Sequence, residues 1–219
     1  MVLVGKEIKT RTNEIQSILH NLMALEVMEQ LPDKIVAKDF LNMNNISVKN
    51  LIEKMDTITR SMITDSKKMF EEDSYENVYS RDEDVNRLSY LSYRSLRYCF
   101  SNPLTSSQKF DLDVMELVNL WLVTSRIEKI ADEAKRIARY MQKLEKPSKK
   151  IKNELVKFYN IIEKNYLNMI KAYYKNNKKL AQEVTITKED ILIDLNKFYE
   201  ENYNVKWLSL IIERMKVMV

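Results

Sequence analysis

Residues 117–141 read LVNLWLVTSRIEKIADEAKRIARYM, and the fold follows from this stretch. Leu117, Leu120, Thr124, Ile127, Ala131, Ala134, Ala138 and Met141 step by alternating threes and fours, which sets them on one stripe of an α-helix. Val123, Ile130, Ile137 and Leu144 add a second stripe beside it. An apolar face that wide touches two neighbours, so the helix belongs in a bundle of at least three. Asp111 or Asp113 stands where an N-cap is needed.

Working outward, the same period appears on both sides. Residues 6–31 read as a first helix through Ile8, Ile15, Ile18, Leu19, Leu22, Leu25 and Met28, stopped by Pro32-Asp33. Residues 34–41 form a short extended segment, followed by the turn Asn42 to Asn45. Ser47 caps a second helix to about Phe70, and a third runs from about Tyr75 to Phe100. Residues 104–111 read as a loop. Downstream, Ser148 caps a helix to about Val184, and Thr185 or Thr187 opens another that bends around Asn202 to Asn204. The expected organisation is an N-terminal helix and extended linker over 1–46, a three-helix bundle over 47–146 and a second, incomplete bundle over 147–219.

Composition narrows the chemistry. Gly5 is the only glycine, so Gly-rich phosphate cradles are excluded. His20 is the only histidine and Cys99 the only cysteine, too few for a His/Cys zinc site. Cys99, in the run Leu96-Arg97-Tyr98-Cys99-Phe100, reads as a small packed hydrophobe, and a lone thiol fits a reducing compartment. His20 reads as a surface residue or a hydrogen-bonded core residue. No apolar run reaches the roughly 18 residues of a membrane span, and Met1 to Lys6 is too short for a signal peptide, so a cytoplasmic, non-enzymatic protein is expected. The net charge of +4 is small but uneven. Residues 71–84 hold seven acids against Arg81, whereas 146–179 hold ten lysines against Glu154 and Glu163. Such runs read first as solvated helix faces.

Any metal would have to sit on carboxylates, which suit hard cations. Glu128 and Asp132 are four apart, on one side of their helix and at the margin of its apolar face. Two like charges there repel unless a cation lies between them. Lys135, Arg136 or Arg139 could supply it, as could a metal shared with another helix. Asp82, with Asn86 four residues on, and Asp65 are the partner candidates.

The string Arg-Ile-Glu-Lys-Ile-Ala-Asp-Glu-Ala-Lys-Arg-Ile-Ala at 126–138 resembles the pattern R-x-E-R-I-x-D-H-A-x-x-I-A of the PhoU family. Residues 81–91, Arg-Asp-Glu-Asp-Val-Asn-Arg-Leu-Ser-Tyr-Leu, are similar to that family's preceding helix, E-x-x-V-D-R-L-x-x-L. Segments between Leu22 and Met62 resemble archaeal members, in which an AbrB-like DNA-binding domain often lies upstream; residues 1–14 are too few to form one. The resemblance implies an all-α fold of tandem three-helix bundles and, in some members, a multinuclear iron or zinc site. It also implies control of phosphate uptake through the transporter, its sensor or a regulatory protein. Carried over, Glu128 and Asp132 are the best-matched ligands and Asp82 the next.

The departures are specific. Asn86 stands where the pattern has Asp, and Glu133 where His is common. In the second repeat, Ile212 to Val217 aligns with Ile127 to Asp132 and ends in Val217 in place of a carboxylate, although Asp190, Asp194 and Glu213 remain as weaker candidates. The leading expectation is a PhoU-like regulator working through protein contacts, as a homodimer or with metal assistance, and touching nucleic acid only indirectly. The alternatives are a metal-free dimerisation or sensing module of a transcriptional regulator, and a carboxylate-metal enzyme, which one histidine disfavours.

Overall fold

The structure, a computed structural model, describes residues 1–144 and 147–219. The boundary expected at residue 146, and Lys146 of the basic run, lie outside them. Two compact units form, one from residues 1–55 with 86–125 and the other from 56–85 with 126–219. Three long helices, α2 (Val48–Lys68), α3 (Tyr75–Ser101) and α5 (Val114–Lys143), each contribute a part to both units.

The first unit opens with a small module that corrects the expected helix over 6–31. Strand β1 (Val2–Val4) leads into α1 (Ile8–Asn21), then β2 (Leu25–Leu31) and β3 (Lys34–Asp39). The sheet order is β1-β3-β2, and both outer strands run antiparallel to β3. β1 and β2 are therefore parallel to each other with α1 as their crossover, a split β-α-β unit. The helix stops because the Leu22 N–H turns back to the Leu19 carbonyl and Ala24 enters the left-handed region at φ 62°. Leu31 pairs with Lys34, so Pro32-Asp33 is a two-residue hairpin connection, not merely a helix stop, and Gly5 N–H donates to Asp33 O at 2.9 Å. Ladder pairing with β3 overrides the helix propensity of Leu25, Glu26, Glu29 and Gln30, with Met28 in the bulge between Val27 and Glu29. Ile8, Leu19, Ile35 and Ala37 form the core of the module, with Leu3, Ile15 and Leu25 packed against it.

The C-terminal half of α3 holds this module in place. Arg94 donates to Met23 O at 2.7 Å and pairs with Asp39, and the Tyr98 hydroxyl donates to Asn44 at 3.2 Å. Residues 104–111, expected to be loop, lie mostly in α4 (Pro103–Phe110), which starts with proline at its first turn and ends on Asp111 at φ 50°. Ser106, buried, donates to Cys99 O at 2.8 Å, and Cys99 is itself buried, as a packed hydrophobe should be. Asp113 caps α5: it accepts from Glu116 N–H at 2.7 Å while Glu116 accepts from Asp113 N–H at 3.0 Å, a reciprocal capping box.

In the second unit the stripe read from the sequence is the core. Ile127, Ala131, Ala134, Ile137 and Ala138 are all buried, and the small alanines let neighbouring backbones approach closely. Ser66 of α2 accordingly reaches Ala134 O of α5 at 3.0 Å. Helix α6 (Lys149–Tyr174) is capped by Ser148, as expected, but ends well before Val184. Asn176 turns left-handed at φ 48°, and Asn177 caps α7 (Lys178–Glu201) through Leu180 N–H, so this helix starts ahead of Thr185 and ends at Glu201, before the bend expected at Asn202 to Asn204. α8 (Leu208–Met218) buries Leu208, Ile211, Ile212 and Met215. The described residues from 48 to 218 form helices and their connections and no strand, so the all-α expectation holds there, with the three-stranded module as an addition to it. Among the described residues no helix is long and apolar enough to cross a membrane.

Candidate functional site

The structure brings three of the candidate ligands together in the second unit. Glu128 and Asp132 stand one turn apart on α5, and α3 brings Asp82 to them, with Asp82 only 3% exposed. Lys135 lies between two of these acids, its Nζ 2.5 Å from Asp82 Oδ2 and 3.0 Å from Asp132 Oδ1. Arg136 takes the other Asp132 oxygen at 2.6 Å. Of the three basic side chains that could have compensated the pair, Lys135 and Arg136 do so, while Arg139 donates to the Tyr75 hydroxyl at 3.3 Å.

The electrostatics follow this geometry. Burial alone would lower the pKa of Lys135, but its bonds to Asp82 and Asp132 outweigh that and raise it, so the ammonium form is fixed. Glu128 has no such bond. Burial raises its pKa most, the charges of Asp132 and Asp82 add to this, and Lys135 and Arg136 offset only part. Next to the cluster, Glu133 is buried and held by Arg136 at 3.2 Å and by Arg214 of α8 at 3.5 Å. Sequence reading noted Glu133 only as a departure; Arg214 appears when α8 packs against α5.

The other candidates have partners or positions of their own. Asp65 pairs with Arg81 and with Lys68. Asn86 is half-buried on α3 one turn beyond Asp82. Asp190 and Asp194 are exposed on α7, and Glu213 pairs with Lys216 at 2.6 Å on α8. His20, on α1, is exposed.

Carboxylates are the donors a hard cation takes, but among the described residues no group of three or more acids, histidines or cysteines is arranged to hold a metal ion. The arrangement does not offer such an ion a seat, because the ammonium of Lys135 already bridges Asp82 and Asp132. A metal there would have to displace a buried, doubly paired cation.

A second polar cluster was not foreseen. Asp56 of α2, 3% exposed, accepts from Arg60 Nε at 2.9 Å, from Arg60 Nη2 at 2.6 Å and from the Tyr166 hydroxyl of α6 at 2.9 Å. The available signal was an Asp/Arg pair at i, i+4 with the acid on the apolar face, beside Met55 and Thr59. Glu163 of α6 likewise accepts from Thr64 at 3.0 Å and from Lys67 at 2.6 Å. Every charge in these clusters that is deeply buried has an opposite partner. Nothing in them resembles a nucleophile poised beside a base.

No curated protein sequence matches the chain, and no solved structure does. The stretch from α2 to near the end of α5, which contains Asp82, Glu128, Asp132 and Lys135, does have a counterpart: residues 52–141 match the family model of the PhoU domain.

Proposed function

We propose that this chain is a regulator of phosphate uptake that acts by binding a component of the phosphate transport system, its sensor or an associated regulatory protein. The observation that carries this reading is the PhoU domain match over residues 52–141, in a family that is regulatory and not enzymatic. The charge-compensated interior supports it, since the buried acids and bases serve to join helices. The N-terminal part of α5 supplies a contact surface: Val114, Met115, Trp121 and Leu122 are between 43% and 65% exposed, an apolar density seldom left open without a partner. A metal-assisted form of this reading requires Lys135 to leave the gap between Asp82 and Asp132.

Deleting the gene and measuring phosphate uptake and transporter expression under phosphate limitation tests the proposal. Altered uptake and expression are expected, and unchanged values reject it. A second reading, a dimerisation or sensing module of a transcriptional regulator, draws on the same open face of α5. It predicts a dimer by light scattering that dissociates in Leu122→Lys, with phosphate uptake unaffected. A mobility-shift assay at physiological salt should show no direct DNA binding by this chain under either reading.

A further inference from the structure

We infer that Lys135 is a built-in replacement for a metal ion: its ammonium holds Asp82 of α3 against Asp132 of α5, and the cluster works without metal in this chain. The inference rests on the geometry of the cluster and does not depend on the phosphate-uptake reading. Asp82 is almost wholly buried, and a buried carboxylate needs a cation within bonding distance. A metal ion could meet that need by coordinating both carboxylates. Here Nζ meets it, within bonding distance of one oxygen of each acid, on a side chain only 15% exposed and tethered to α5 itself. Arg136 pairs with the second oxygen of Asp132, so both oxygens of that carboxylate already face a cation of the chain. Two carboxylates from different helices are thus joined by a cation that belongs to the polypeptide.

Removing the ammonium should return the need for an external cation. In Lys135→Ala, Asp82 and Asp132 lose the ammonium that bridges them, leaving oxygen donors from two helices. Carboxylates of this kind suit Mn²⁺, which serves as the probe. The double variant Asp82→Asn, Lys135→Ala removes the buried charge together with its partner, leaving Asp132 to Arg136 and no buried carboxylate there for the ion to neutralise.

The experiment is a thermal melt of the full chain, purified and analysed for metal, with chelator and with added Mn²⁺. The wild-type protein is expected to carry substoichiometric metal and to melt at the same temperature in both conditions. Lys135→Ala should melt lower in chelator and recover by about 5–10 °C when Mn²⁺ reaches about a hundred times its Kd. The double variant should show no recovery. Stoichiometric metal in the wild-type protein, or a melting temperature that falls in chelator, overturns the inference. So does a Lys135→Ala protein that Mn²⁺ leaves unchanged. Should Lys135→Ala not fold, Lys135→Met, which keeps the aliphatic stem, is melted in its place with the same outcomes decisive.

Discussion

The Tyr166 hydroxyl donates to Asp56 Oδ1 at 2.9 Å, tying α6 to α2 at a point where the acid is also gripped by Arg60. Burial, and then the charge and hydrogen bond of Asp56, push the phenol's pKa well above its usual value. The hydroxyl therefore stays a donor at any pH where the protein is folded.

Tyr166→Phe deletes that one bond while keeping the ring and leaves Asp56 paired with Arg60. Loss of a hydrogen bond to a buried carboxylate costs about 2 kcal/mol. Urea titration should show a lower midpoint with an unchanged slope. An unshifted midpoint would mean that Arg60 alone satisfies Asp56.

Glu128 gives a prediction of the opposite sign. Its pKa is raised in the folded protein by burial and by Asp132 and Asp82, so its ionised form opposes folding. For an acid with a raised folded pKa, the penalty is absent below the unfolded value and complete above the folded one. Glu128→Gln should therefore raise the melting temperature at pH 7, by about 1–2 °C for this partly solvated group. The gain should shrink as the pH falls toward 4. A variant no more stable than wild type at pH 7 would show that Lys135 and Arg136 compensate Glu128 fully.

The N-terminal module depends on Arg94, which reaches both Met23 O and Asp39. Burial tends to raise the Asp39 pKa, but the Leu41 N–H and the Arg94 guanidinium outweigh it and leave the pKa lowered. Stability from a lowered carboxyl pKa is present above the unfolded value and lost as the pH falls through the folded one. For so exposed a pair the effect is at most about 1 kcal/mol. Hydrogen exchange should accelerate in β2 and β3 below about pH 4. Arg94→Met should reproduce this acceleration at pH 7, and protection equal to wild type there would refute the assignment.

The parts of this fold that were legible in the sequence are those where a local period and the tertiary environment agree. The α5 stripe from Leu117 to Met141 is buried throughout because the helix is long, and Ser47, Asp113 and Ser148 lie where caps were expected. The sheet was hidden because Leu25, Glu26, Glu29 and Gln30 favour helix locally, and only pairing with β3 makes them a strand. Ile35 and Ala37, buried on alternate positions with Val36 between them, carried the signal for that strand. That Glu128 and Asp132 share one side of their helix was legible from their spacing, whereas Asp82 was preferred to Asp65 as their partner only by the family resemblance. That Lys135 and Arg136 compensate these acids while Arg139 turns to Tyr75 was not legible, because all three side chains are long enough to reach several neighbours. Asp56 and Tyr166, far apart in the chain, share no pattern that precedes the packing of α6 on α2.

Trp207 supplies the last test. It stands at the start of α8 with φ 71°, a left-handed conformation that costs a residue with a Cβ about 1–2 kcal/mol. Its ring offsets this cost by stacking on Tyr140, at 6.2 Å between centroids and 16° between planes, with Lys143 Nζ 4.9 Å above the indole. Trp207→Ala removes the ring and keeps the backbone cost, whereas Trp207→Gly removes both. Glycine loses more chain entropy on folding, which takes back part of the advantage. The net expectation is that both variants are less stable than wild type, with the glycine variant ahead of the alanine variant by about 0.5–1 kcal/mol. Denaturant melts of the two variants decide it: an alanine variant as stable as the glycine one would show that the turn before α8 relaxes once the indole is gone, so that the stack with Tyr140 itself imposes the left-handed backbone.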